Sequence, residues 1–398
     1  MSVGIPIDEL NEGQRELVER AHAVAQEHIR PHAAYWDSAK EFPERCFQAL
    51  AGEGFAALTV PTEYGGQGLG IFEGCLVLEE VAAACLSSAM TIQMQINGPP
   101  RVIARLGSEE QKRHYLPRVA EGSLRFAIAM TEPQAGSDGT ALATTLTPDG
   151  DDFRLDGTKC HITGALYAHA FLVFCRAPGT IGPDGIGAVL VDADIEGLAP
   201  IETEDKMGGR GVPEGVLRFE NAPVRRDQII LEPRAGSREG AAFLLRQFNP
   251  ERCGNAAMSV GVARAALEDA IAYLKEREQF GRPIIEFQGL QWRIADMATR
   301  LEAARLLLWR AAKSEVDGFP GIRETAMAKL FANETAVAIC NEAIELLGHK
   351  GYLTRNPLER YFRDARGLGI GGGTTHILRN MIGGEVTGVR VGQRRSKS

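Results

Sequence analysis

The chain has 398 residues, 44% of them hydrophobic, with 44 basic and 52 acidic side chains and a formal net charge of −8. That length suits two or three domains rather than one core. The acidic balance lacks the basic stripe of a nucleic-acid binder, and no apolar run is long enough to span a bilayer, so neither nucleic acid nor membrane insertion is expected.

Residues 1–122 carry helical spacing, with apolar positions three and four apart in Leu17, Ala21, Val24 and Ala25 and again in Leu78, Val81 and Ala82. The Gly-rich run Pro61-Thr62-Glu63-Tyr64-Gly65-Gly66-Gln67-Gly68 interrupts these helices. Residues 123–240 change texture. Short apolar runs such as Phe171-Leu172-Val173-Phe174 and Ala188-Val189-Leu190-Val191 sit between Gly, Pro and Asp turns, which predicts a β domain. From 241 the chain returns to long helices, expected to end near Ile382 and to fill 241–385. Residues 386–398 are read as a tail, with Arg394, Arg395 and Lys397 a solvated basic cluster. Helix, strand and helix blocks in this order predict an α+β protein.

Seven cysteines, at 46, 75, 85, 160, 175, 253 and 340, form no Cys-x-x-Cys pair. An odd, scattered set argues against a disulfide framework or a zinc site, and no metal is expected. Residues 1–19 hold Asp8, Glu9, Glu12 and Glu16 against one Arg15, unlike a signal or transit peptide. A soluble, cytoplasmic protein is the expectation.

The most informative segment is Met130-Thr131-Glu132-Pro133-Gln134-Ala135-Gly136-Ser137-Asp138, directly after the apolar run Phe126–Ala129. Thr131 can present a hydroxyl and an N–H to a planar heterocycle, and Gly136 and Ser137 can offer amides and a hydroxyl to a phosphate. Gly-Ser-Asp turns also serve simply to reverse a chain. At full length the segment resembles the flavin-binding signature of the acyl-CoA dehydrogenase family. Further segments carry the same resemblance in order: the Pro61–Gly68 run, Gly107-Ser108-Glu109-Glu110-Gln111-Lys112, Lys206-Met207-Gly208-Gly209-Arg210-Gly211, Arg277-Glu278-Gln279-Phe280-Gly281-Arg282-Pro283 and Arg360-Tyr361-Phe362-Arg363-Asp364.

The resemblance implies a helical N-terminal domain, a central β-barrel-like domain and a C-terminal four-helix bundle that together bind FAD. It assigns cofactor contacts to Met130, Thr131, Gly136, Ser137, His161, Thr163, Arg277, Gln279, Phe280, Gln288, Gly348, Thr374 and His376. Thr131 falls at the pyrimidine edge and Ser137 near the pyrophosphate. His161 stands where the family places an aromatic residue against one flavin face, and Thr163 where it places a hydroxyl near N5. A solvent-facing histidine is the alternative at 161. Arg277 and Gln288 are expected to reach the ADP half from a neighbouring subunit, which implies a homodimer at least and a homotetramer (dimer of dimers) in the family's usual form. His349 and His376 depart from the family pattern. So does Glu345, an acid poorly suited to a pyrophosphate, and it is left out of the FAD set.

Dehydrogenation of a thioester needs a base for the α proton. Many members carry it as glutamate in a C-terminal Tyr-Glu-Gly-Thr segment, but here that run is Ile370-Gly371-Gly372-Gly373-Thr374. Gly372 cannot accept a proton. The isovaleryl-CoA and long-chain branch of the family keeps glycine there and places glutamate on an earlier helix, where this chain has Phe248-Asn249-Pro250-Glu251-Arg252. Glu251 is the expected base. Asn249 as N-cap and Pro250 in the first turn predict a helix start, whose dipole and Arg252 favour the carboxylate. Desolvation by a bound acyl chain opposes them. Ser137, Arg252, Gly372 and Gly373 are assigned to substrate binding.

The implied activity is FAD-dependent α,β-dehydrogenation of an acyl-CoA in fatty-acid or amino-acid catabolism, with electron-transferring flavoprotein as acceptor. Same-scaffold alternatives are an oxidase, an enoyl-CoA reductase, a redox-neutral lyase such as a desulfinase, and a catalytically silent flavin-binding partner.

Overall fold

The computed structural model describes residues 3–389, the side chain of Leu244 excepted. The basic cluster at Arg394, Arg395 and Lys397 lies outside the described residues. Two compact units emerge, Ile5–Gln247 and Phe248 onward, the latter joined by the first residues of the chain.

The Ile5–Gln247 unit begins with helices α1 (Glu12–Val24), α2 (Ala33–Ala39), α3 (Glu44–Gly52), α4 (Ile71–Ala84), α5 (Leu86–Ile96), α6 (Pro99–Leu106) and α7 (Glu109–Ala120). Asn11 and Ser108 close capping boxes on α1 and α7 with Gln14 and Gln111, as their spacing dictates. Eight strands follow: β1 (Phe126–Ala129), β2 (Thr145–Asp149), β3 (Asp152–Thr163), β4 (Ala170–Arg176), β5 (Ile186–Asp192), β6 (Glu202–Glu204), β7 (Glu214–Val224) and β8 (Ile229–Leu231). They form one sheet in the order β6-β7-β3-β2-β4-β5-β8, with β1 parallel to β4. Strand β4 is buried along its whole length, so its apolar run lacks alternation.

Two devices fix the loop after β1. Gln95 of α5 brackets the strand's first residue, accepting from the Phe126 amide at 3.1 Å and donating to its carbonyl at 3.2 Å. Beyond the strand, Glu132 is buried against the fully buried Lys159 of β3, with Oε1 and Nζ 2.7 Å apart. Glu132 also accepts from the Ala143 and Thr144 amides, the Thr144 hydroxyl and Gln134. Lys159 donates to the Met130 carbonyl at 3.2 Å, and the Cys160 amide to the Thr131 carbonyl at 2.9 Å. Burial raises the Glu132 carboxyl, but the Lys159 ammonium and these donors outweigh it, and the group lies below its ordinary range.

The second unit is helical. Helix α8 (Glu239–Glu276) enters it, followed by a two-residue pair β9 (Glu278–Gln279) and β10 (Arg282–Pro283), then α9 (Gln288–Ala312), α10 (Ile322–Leu347), α11 (Pro357–Leu368) and α12 (Thr375–Thr387). Helix α10 packs on α9, α11 and α12. Two expectations are corrected. Helix α8 does not start at Asn249; it runs through Pro250 from Glu239. The Asn249 side chain serves tertiary contacts instead, donating to the Pro320 carbonyl at 2.9 Å and accepting from Arg252 at 2.8 Å. Nor does the last helix end near Ile382. It continues through Gly383 and Gly384 and stops at Gly388, whose φ of +72° closes the final turn.

Removing one member of a buried ion pair leaves the other charge uncompensated. Lys159→Met is expected to lower unfolding stability by about 3–5 kcal/mol, and Glu132→Gln on that background to restore much of the loss. Urea unfolding of the single and double variants checks this.

Candidate active site

The residues assigned to flavin and substrate fall in both units. In the Ile5–Gln247 unit, Met130, Thr131, Gly136 and Ser137 lie on the loop clamped by Glu132, while His161 and Thr163 end β3. The bonds from Lys159 and Cys160 to Met130 and Thr131 bring these two segments side by side. Met130, Thr131 and Thr163 are half-buried, and Gly136, Ser137 and His161 are exposed. Among the described residues the hydroxyls of Thr131, Ser137 and Thr163 engage no hydrogen-bond partner, so each is available to a ligand. Such a set of donors, on a loop fixed from behind, fits a flavin and its phosphates.

His161 has φ +57° and sits in a β-bulge, where β3 gains one residue on β7. Its amide and its Nδ1 both meet the Glu204 carboxylate, at 2.9 and 3.0 Å. The neighbouring Cys160 is buried on the opposite side.

In the helical unit, Arg277, Gln279, Gln288, Gly348 and His376 are exposed, as is Phe280 at 94%. Thr374 caps α12, its hydroxyl accepting from the Ile377 amide at 3.3 Å. Glu345 is bound to Arg293 at 2.8 Å, and Arg293 also holds Glu342, so the one guanidinium offsets part of the charge of the two acids.

Glu251 and Arg252 are buried in mid-helix, so no helix N-terminus acts on Glu251. Arg252 donates to the Gly372 carbonyl at 3.4 Å, which brings the Glu251–Arg252 segment to the glycine turn across 120 residues of sequence. At that turn Gly372 has φ +70° and Gly373 φ +98°, conformations in which a glutamate would be strained. Desolvation lowers the Arg252 guanidinium to about 10.

Sequence reasoning missed the support beneath this turn. Lys329 of α10 is fully buried and donates to Asn333 at 3.0 Å, the Leu368 carbonyl at 3.1 Å and the Gly373 carbonyl at 3.0 Å. Asn333 continues to Asn255 and Ser259 of α8 at 2.8 and 2.7 Å. Three donors thus meet three acceptors. A readable signal existed: Thr325, Lys329, Ala332 and Ala336 share one helical face, and that face is buried. Glu132, Lys159 and Glu204 were also passed over.

Burial, then the nearby Arg252, pushes the Lys329 ammonium down to about 7 from an ordinary 10.5. Between those values the unfolded chain binds more protons, so stability rises with pH and is lost as pH falls through this window. Unfolding free energies measured from pH 7 to 10.5 are expected to show this rise, and Lys329→Met to flatten it.

Family models cover most of the chain: Acyl-CoA dehydrogenase, N-terminal domain, at residues 11–123; middle domain, at 127–222; and C-terminal domain, at 238–387. A 3-sulfinopropanoyl-CoA desulfinase of Paraburkholderia xenovorans is 40% identical over 389 residues, 98% of this chain and 99% of that protein. The human mitochondrial short-chain specific acyl-CoA dehydrogenase is 36% identical over 378 residues, 95% of this chain and 91% of that one. Among solved structures, butyryl-CoA dehydrogenase of Megasphaera elsdenii superposes with a TM-score of 0.90 at 29% identity, covering 95% of this chain and 99% of that one. A glutaryl-coenzyme A dehydrogenase in complex with glutaryl-CoA gives 0.91 at 32% identity, covering 97% and 98%. No described helix is long and apolar enough to cross a membrane. The family is FAD-binding, with the helical, β and helical organisation seen here. The chain belongs to the acyl-CoA dehydrogenase family.

Proposed function

We propose that this protein is an FAD-dependent acyl-CoA dehydrogenase in which Glu251 removes the α proton of the thioester. One observation supports this most. Arg252 joins Glu251's helix to the Gly372 carbonyl, which supports a base carried on α8 beside the turn where other family members carry theirs. FAD, when bound, takes up the two electrons that leave the β carbon, and electron-transferring flavoprotein is the proposed acceptor. Thr131, Thr163, Gly136 and Ser137 are the proposed flavin contacts of the first unit. Thr163 donates a hydroxyl where negative charge arrives, which lowers the barrier without reorganisation. Arg277, Gln279, Phe280, Gln288, Gly348, Thr374 and His376 complete the proposed contacts, with Met130 and His161 beside the ring.

Glu251 is buried, so an acyl chain bound beside it would complete its separation from water. Arg252, Gly372, Gly373 and Ser137 line the proposed thioester site. Homo-oligomerisation belongs to the same reading. Phe280 and Trp292 are exposed at 94% and 62%, beside a concave apolar surface of Ile284, Phe287 and Leu290 that suits a second copy.

A second reading rests on the desulfinase relatives, which match at 38–40% identity across nearly their whole lengths. In it the protein cleaves the carbon–sulfur bond of a sulfinyl acyl-CoA without net redox change. Anaerobic mixing separates the two. Dehydrogenation predicts flavin bleaching by an acyl-CoA, falling about 10²–10⁴-fold in rate in Glu251→Gln, as expected for loss of a general base. Sulfite release from 3-sulfinopropanoyl-CoA with unbleached flavin would establish the desulfinase reading instead.

A further inference from the structure

Strand β3 departs from regular pairing at one place. Lys159 faces Leu217 and Ile162 faces Gly215, so three steps on β3 match two on β7. The added residue turns Cys160 inward, at 6% exposure, and leaves His161 facing outward with φ +57°. A non-glycine residue in this conformation is uncommon, and strain of this kind collects at functional sites. Here the carboxylate of Glu204, on β6, stabilises it by accepting from both the His161 amide and its Nδ1. One acid therefore fixes main chain and ring together. With Nδ1 committed, Nε2 is the nitrogen left on the exposed side.

The charges around the ring are arranged to keep Glu204 for this task. The ligand-type atoms of His161, Glu204 and Glu214 lie within 4.8 Å of one another. Lys206 engages Glu214 at 3.3 Å, and Asp205 next to Glu204 is held by Lys40 at 2.6 Å. Glu202, at the start of β6, pairs with Arg218. Of Glu202, Glu204 and Asp205, the first pairs with Arg218 and the last with Lys40, whereas Glu204 meets His161.

We infer that Glu204 is a positioning residue that presents His161 Nε2 to the flavin ring, making His161 a proton-exchanging contact that adjusts the relative affinity for oxidised and reduced cofactor. The inference rests on the proposed placement of FAD beside β3. It gives a function to a histidine in a position where the family resemblance leads one to expect an inert aromatic face. A histidine there can lose or gain a proton as the flavin changes charge, which an aromatic hydrocarbon cannot.

The test uses FAD-loaded protein and measures the flavin midpoint potential by spectroelectrochemistry from pH 5.5 to 9. His161→Asn is the main variant, because asparagine tolerates positive φ and does not titrate in this range. Glu204→Gln is the second, since it retains an acceptor for the His161 amide. The wild-type profile is expected to show a break that His161→Asn removes and Glu204→Gln displaces, with FAD still bound. On the acidic side of that break His161→Asn is expected to change the affinity ratio about tenfold, equal to about 30 mV for a two-electron couple. Superimposable profiles for all three proteins, or a wild-type profile without a break, would overturn the inference while leaving the dehydrogenase reading intact. Failure of the wild-type protein to bind FAD would overturn both, and is told apart by the absence of a flavin spectrum.

Discussion

The buried pair of Glu132 and Lys159 is the constraint on which the loop after β1 depends. A loop containing Thr-Glu-Pro and Gly-Ser would ordinarily sample many conformations. Here the acid directly after Thr131 is drawn into the sheet, where it meets an ammonium, two amides and a hydroxyl. An ion pair so buried gives little net stability against an apolar substitute, since desolvation offsets the attraction. Its value lies in position: with Glu132 fixed and the Thr131 carbonyl bonded to the Cys160 amide, the main chain of Thr131 is held against β3. Gln95 performs the same service at the other end of β1.

The helical unit solves a related problem with cations. The glycine turn at Gly371–Gly373 has no side chains to anchor it, and its positive φ values exclude most residues that might supply them. Arg252 and Lys329 instead hold its successive carbonyls from below. Two buried positive charges are costly, and the lowered proton affinity of Lys329 records that cost. In exchange, the glycine turn is tied to α8 through Arg252 and to α10 through Lys329. Arg293 balances Glu345 in the same manner, which explains how an acid is accommodated where the family resemblance leads one to expect an amide.

Much of this was legible in the sequence. The alternation of helical and strand textures located the elements, because β4 and β5 are apolar runs bounded by turn residues, and α1 and α4 keep their period. The sequence also excludes Gly372 as a proton acceptor, since a glycine has no side chain to take one, and the proposal of Glu251 starts from that. What escaped were partners distant in sequence. Lys159 lies 27 residues from Glu132, and His161 lies 43 from Glu204. Lys159 shares the strand phase of the buried Phe153 and Leu155, so its inward direction had a sign, but its counterion had none. Pro250 misled for a local reason: it fits a first helical turn equally well, and only the tertiary use of Asn249 shows that the helix was already under way.

These supports converge on one chemical claim, that a carboxylate in the middle of α8 exchanges a proton with the carbon next to the thioester. Loss of deuterium from an acyl-CoA labelled at its α carbon, followed by mass spectrometry without an electron acceptor, tests it most directly. The account predicts washout by the FAD-loaded protein and little by its Glu251→Gln form. Equal washout by both, or product formation by the wild type with the label wholly retained, would contradict it.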